Sequence, residues 1–293
     1  RDMMSAADIE RYNRDGFIVV ENIFSAAEIT AMRQVLDDLV AGAHQVADHD
    51  EIYDLEPDHT PEAPRVRRIK SPTSVDPLFD KMTRQENLLT VLQALIGPDL
   101  RLYGSKINIK AATYGSPVEW HQDWAFYPHT NDDILAVGVM LDDMTENNGP
   151  MMMLPGSHRG PTYDHHHEGY FAGAIAPDQL DVSGAEMVLG SAGACSFHHV
   201  RAVHGSAQNH SSHARRLLLL EVAAADAWPL MGLRDGFDDF EEKLLAGVSH
   251  NQPRLTDCPV RMPLPPAKRQ GSIYESQTIV ENRYFKIAAA AQS

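Results

Sequence analysis

The sequence predicts a mainly β fold with flanking helices, an antiparallel sandwich or jelly-roll barrel rather than a βαβ fold. Two observations carry this. From residue 100 to 225, short apolar and β-branched runs alternate with Gly, Pro and Asn turns, and no helical period separates them. Helix signals concentrate ahead of residue 100 instead.

Residues 16–20, Gly-Phe-Ile-Val-Val, are short and β-branched and read as a strand. Ser25 and Glu28 form a capping box, with Phe24 and Ile29 placed to staple the chain, so a helix starts at Ala26. Ile29, Met32, Val35, Leu36, Leu39 and Val40 recur at helical spacing, which gives that helix one apolar face. Residues 44–75 are rich in Asp, Glu, His and Pro without a period and read as a loop. Within it Arg65, Arg67, Arg68 and Lys70 form a basic island, read as a solvated edge in preference to an anchor for an anionic substrate.

A second helix over Glu86–Ile96 is stopped by Gly97-Pro98. The strand candidates that follow are 100–111, 134–141, 151–154, 194–204 and 216–223. Beyond them lie a helix near 237–246 and a proline-rich stretch, 259–266. With no repeat and no linker, the expectation is one domain over residues 1–293, with N-terminal helices in 1–99, a barrel core at about 100–225 and a C-terminal extension, 226–293.

Composition narrows the function. The 43% hydrophobic content supports a sizeable core. Asp and Glu number 41 against 25 Lys and Arg, a net charge of −16, which argues against nucleic acid or an anionic membrane as partner. The richest apolar run, 217–230, is broken by Glu221 and Asp226, and no basic segment followed by an apolar stretch opens the sequence. Cys195 and Cys258 make no CxxC pair and no disulfide framework, so a reducing, cytoplasmic setting is expected. Fifteen histidines are many, and they indicate where the chemistry lies.

The sharpest local signal is Trp120-His121-Gln122-Asp123-Trp124. In an extended segment, residues i and i+2 share a face, so His121 and Asp123 can present an imidazole and a carboxylate to one point. Two histidines and one carboxylate are the ligand set of non-haem Fe(II), and they leave coordination positions open. Alone, His-x-Asp is a weak signal among fifteen histidines, and a hydrogen-bonded structural pair is the preferred reading. The downstream run His204-Gly-Ser206 with Asn209, followed by Arg215-Arg216, strengthens the metal reading. A histidine closing one strand and an arginine opening the next can both face a barrel interior, where the guanidinium grips a carboxylate. A strand as apolar as 217–220 does not ordinarily admit an inward Arg without an acidic partner.

His121-x-Asp123, Glu146-Asn-Asn-Gly-Pro150, Leu154-Pro-Gly-Ser-His158 and His204-Gly-Ser206 with Asn209 and Arg215 together resemble the phytanoyl-CoA dioxygenase family, over residues 106–216. The resemblance implies a double-stranded β-helix, a cupin-like jelly roll. It implies an Fe(II)- and 2-oxoglutarate-dependent oxygenase that uses O2 to hydroxylate, or otherwise oxidise, an unactivated C–H of a small molecule, releasing succinate and CO2. His121, Asp123 and His204 are thereby implied as iron ligands. Arg215, helped by Ser206, is implied to hold the distal carboxylate of 2-oxoglutarate, and Asn108 to contact it. Halogenating relatives lack the carboxylate ligand, so Asp123 favours oxidation over halogenation. One departure is the turn Gly190-Ser-Ala-Gly193-Ala, where relatives often carry Gly-Asp.

Two other readings use the same residues: a zinc hydrolase with metal-bound water as nucleophile, and a metal-binding barrel without oxygenase activity. The hydrolase leaves Arg215 without a role. Among the remaining candidates, His165-His166-His167 reads as a solvated loop, with a substrate-touching lid as the alternative. His198 shares strand parity with His204 and is either a hydrogen-bonded core histidine or a substrate contact. Trp120, Trp124 and Phe126 read as core, with a lining of the substrate pocket as the alternative, Met151-Met-Met153 as flexible core filling and Cys195 as a small buried residue.

Overall fold

The computed structural model describes residues 3–113 and 115–285. Two helices open the chain, α1 (Ala6–Asp15) and α2 (Ala26–Gly42), each with a reciprocal capping box. The Ser5 and Ser25 hydroxyls accept the N–H of Asp8 and Glu28, whose carboxylates accept the serine N–H in return. Between them β1 (Phe17–Val20) forms as predicted.

The stretch expected to be a loop is partly ordered structure. It contains β2 (Tyr53–Leu55), β3 (Val66–Lys70) and α3 (Pro72–Val75). Hydropathy conceals these strands because their polar side chains pair with one another inside the fold. Arg67 donates to Asp54 at 2.8 Å, and both are buried. The solvated-edge reading therefore fails for Arg67 and Arg68, and holds only for the half-buried Arg65 and Lys70.

After α4 (Pro77–Met82) and α5 (Glu86–Ile96) comes a run of strands. They are β4 (Leu100–Lys110), β5 (Val118–His121), β6 (Ile134–Met140), β7 (Met151–Met153), β8 (His166–His167), β9 (Tyr170–Phe171), β10 (Glu186–Met187), β11 (Cys195–His199), β12 (His204–Ser206) and β13 (Arg215–Ala224). The single strand expected at 194–204 is two, because a turn at 200–203 carries the chain from one sheet to the other. Then α6 (Gly236–Glu242) stops short of the helix expected to 246; β14 (Leu244–Ala246) pairs with β4 instead, and α7 (Ile273–Ser276) follows.

The larger sheet runs β1-β11-β6-β13-β4-β3-β2 with β14 beside β4, and the smaller runs β10-β7-β12-β5, every described pairing being antiparallel. This is the double-stranded β-helix. Along β13 the period of two sorts residues cleanly. Leu218, Leu220 and Val222 pack with Met32 and Leu36 of α2 and Leu88 and Leu92 of α5. Each such side chain contributes roughly 1.5–3 kcal/mol on burial. Arg215, Leu217, Leu219 and Glu221 turn the other way, into a cavity between the sheets.

Candidate active site

His121 ends β5, and its register partner across the ladder is His204 of β12, so the two imidazoles rise from facing positions. Gly205 allows this approach: a Cβ there would lie 3.0 Å from the Val118 carbonyl oxygen and 3.2 Å from the Trp120 nitrogen. Asp123 reaches the same point through a short 3-10 turn, Asp123–Ala125, rather than by the strand alternation expected from sequence. Nε2 of His121 and of His204 lie 3.4 and 3.5 Å from Asp123 Oδ1. The three ligand atoms are all within 4.8 Å of one another, and all three residues are buried.

The tautomers are set by the backbone. Nδ1 of His121 donates to the Glu119 carbonyl at 2.8 Å and Nδ1 of His204 to the Ala202 carbonyl at 2.9 Å. Each Nε2 lone pair is thereby turned toward Asp123. Burial, reinforced by the neighbouring His121, holds the His204 imidazole well below its ordinary pKa and so neutral. Burial alone would raise the Asp123 carboxyl, but His204, His121 and His198 outweigh it and hold it well below the usual range. Two imidazoles and a carboxylate fit a ferrous ion by donor type. His198, 1% exposed, donates from Nε2 to the other Asp123 oxygen at 3.1 Å. It is a hydrogen-bonded histidine that also lines the cavity, although strand parity with His204 does not carry across the turn at 200–203.

The same cavity is lined by two buried basic side chains. Arg215 is 2% exposed, and its Nε and Nη1 have no partner among the described residues. Its register partner is Lys110, 1% exposed, whose Nζ donates to Ser206 Oγ at 2.8 Å and to the Ala207 carbonyl. Burial pulls Arg215 down to about 10, and burial with the Arg215 charge pulls Lys110 well below its ordinary value. Facing buried cations without a carboxylate are costly unless an anion joins them, and they fit the distal carboxylate of 2-oxoglutarate. Asn108, one inward position along β4, also lines the cavity and accepts from Arg68 Nε at 2.8 Å. Sequence reasoning missed Lys110, although it stands two residues after Asn108 and so on the same strand face.

Two flanking segments depart from expectation. His165 is 2% exposed rather than solvated. Its Nε2 accepts the Gln122 N–H at 2.8 Å and its Nδ1 donates to the Tyr163 carbonyl, so it buttresses the His121–Asp123 segment. The C-terminal extension also walls the site. Gln277 accepts the Glu119 N–H at 3.1 Å and donates to the Gly173 carbonyl, and the Glu119 carboxylate accepts the N–H groups of Tyr284 and Phe285. Phe285 stacks on Trp120 with centroids 6.1 Å apart, and Ile273 and Tyr274 line the cavity. The whole space, open mouth included, is about 600 Å³.

Residues 12–217 match the phytanoyl-CoA dioxygenase family. A probable alpha-ketoglutarate-dependent hypophosphite dioxygenase of Stutzerimonas stutzeri is 38% identical over 288 residues, spanning 96% of this chain and all of the relative. An ectoine dioxygenase of Stutzerimonas stutzeri strain A1501 is 28% identical, over 72% of this chain and 74% of the relative. Among solved structures, EctD from S. alaskensis with bound Fe superposes with a TM-score of 0.65 at 26% identity, covering 76% of this chain and 77% of that one. No helix among the described residues is long and apolar enough to cross a membrane.

Proposed function

The chain belongs to the phytanoyl-CoA dioxygenase family and is an iron- and 2-oxoglutarate-dependent dioxygenase acting on a small molecule, and from that premise we propose which residues do the work and on what. His121, Asp123 and His204 hold the ferrous ion; Arg215, Lys110, Ser206 and Asn108 hold 2-oxoglutarate. One observation carries this reading. The three ligand atoms converge within 4.8 Å of one another in the same cavity as a buried arginine whose Nε and Nη1 have no partner among the described residues. Held by His121, Asp123 and His204, a ferrous ion would supply the oxidative chemistry, in which decarboxylation of 2-oxoglutarate is coupled to reduction of O2 and transfer of one oxygen atom to the substrate. The chain's own part is orientation. The backbone carbonyls of Glu119 and Ala202 hold the ligand imidazoles in one tautomer, the Arg215 fork and Lys110 take the distal carboxylate, and the C-terminal segment keeps water out.

For the substrate we propose hypophosphite. The name of the relative that spans the chain supports it, as does a cavity lined by four cationic side chains against two carboxylates. The balanced reaction converts hypophosphite, 2-oxoglutarate and O2 into phosphite, succinate, CO2 and a proton, a P–H bond becoming P–OH. C–H hydroxylation is the second reading, favoured by ectoine and L-proline relatives at 28% and 25% identity. Incubation with Fe(II), ascorbate and 2-oxoglutarate, reading succinate and phosphorus NMR, separates them. Hypophosphite is expected to drive succinate formation with equimolar phosphite. Turnover with ectoine or L-proline and none with hypophosphite would reverse the order.

A further inference from the structure

Arg68 is a buried cation with no carboxylate of its own. It is 8% exposed, and none of the ion pairs among the described residues includes it. Its neighbours are already matched. Arg67 takes Asp54 at 2.8 Å and Glu275 at 2.6 Å, while Lys106 takes Glu221 at 3.0 Å. Arg215 and Lys110 face the place assigned to the distal carboxylate of 2-oxoglutarate. Of the two carboxylates that line the cavity, Glu221 pairs with Lys106 and Asp123 faces the histidines, so the charge of Arg68 would stay unmatched once 2-oxoglutarate is in place.

The Arg68 side chain is held rather than free. Nε donates to Asn108 Oδ1 at 2.8 Å across the β3–β4 register pair, and the guanidinium lies 5.2 Å from the centroid of the Tyr274 ring. These contacts fix the plane of the fork and leave both Nη groups without a hydrogen bond to any described residue. Arg68, Tyr274, His121, Asp123 and His204 line one cavity. Bidentate recognition of a planar or tetrahedral oxyanion needs just such a pre-set fork.

We infer that Arg68, held by Asn108 and backed by Tyr274, binds the anionic oxygens of the substrate, a compact oxyanion, beside the metal position. This rests on the reading of the iron and 2-oxoglutarate sites given above and adds the residue that selects the substrate. Neither Tyr274 nor the segment that carries it lies within the residues that match the family.

The test uses the purified protein loaded anaerobically with Fe(II) and 2-oxoglutarate, with hypophosphite, phosphite and formate as probes. The visible band of the iron–2-oxoglutarate chelate reports cosubstrate binding, and its perturbation by each probe reports the oxyanion site. In aerobic turnover, Arg68→Met is expected to raise the KM for hypophosphite roughly 30-fold or more, with 2-oxoglutarate affinity within about 3-fold of wild type. Arg68→Lys keeps the charge without the fork and is expected to fall between, which separates recognition from a folding defect. Equal loss of the chelate band in both variants would assign Arg68 to the cosubstrate and overturn the inference. So would an unchanged KM in Arg68→Met, or a wild-type chelate that responds to none of the three probes, with the iron and 2-oxoglutarate assignments left standing. A wild type that forms no chelate band overturns both readings.

Discussion

His198 Nε2 donates to Asp123 Oδ2 at 3.1 Å, while His121 and His204, the proposed ligand histidines, address Oδ1. The carboxylate is thus divided between an oxygen facing the proposed metal position and one tied to the larger sheet. Outer hydrogen bonds of this kind typically change metal affinity about 10–100-fold. His198→Leu is expected to weaken Co(II) or Fe(II) binding by about that factor, and His198→Gln, which keeps a donor, to recover most of it. Anaerobic Co(II) titration followed by its visible spectrum is the measurement; equal affinity in His198→Leu and wild type would show the bond to be idle.

The metal itself is open to a direct check. Chelator dialysis is expected to abolish succinate formation, and Fe(II) with ascorbate to restore it where Zn(II) does not. Asp123→Ala and His204→Ala are expected to lose bound iron while retaining a cooperative melt, as read by metal analysis and thermal unfolding. Restoration of a hydrolytic activity by Zn(II) would favour the hydrolase reading.

Arg215→Met should separate cosubstrate from metal. Leaving an anion without its buried partner costs about 2–5 kcal/mol, so the KM for 2-oxoglutarate is expected to rise at least about 30-fold with iron content unchanged. A normal KM would move the distal carboxylate to Lys110 alone.

Stability should depend on pH through His129. Burial pulls this imidazole from 6.5 down to about 4, with Nδ1 donating to the Tyr127 carbonyl at 2.8 Å. Above 6.5 it is neutral in both folded and unfolded chains. As pH falls from 6.5 toward 4, the unfolded chain takes up the proton first, so stability drops, by up to about 3 kcal/mol from this group. Urea unfolding at pH 7 and pH 5 is expected to show a smaller difference in His129→Gln than in wild type.

The candidate metal set was legible because His121 and Asp123 stand two residues apart in one segment and the family resemblance pointed to His204 as the third; the 3-10 turn that delivers Asp123 was not legible. The helices were legible through caps such as Ser25 with Glu28. What escaped was written in long-range pairing. Arg67 and Arg68 look like a solvated run until Asp54 and Tyr274, the latter from far along the chain, come to lie against them. Lys110 looks like a strand-end lysine until Arg215 appears as its register partner. His165 looks like one of three loop histidines until it accepts the Gln122 N–H.

Because Tyr274 and Ile273 arrive from beyond the last barrel strand, the candidate metal ligands and part of the chamber wall are carried on separate stretches of chain. Exchange of the later stretch is therefore expected to reshape the wall that backs Arg68 while leaving His121, Asp123 and His204 where they are.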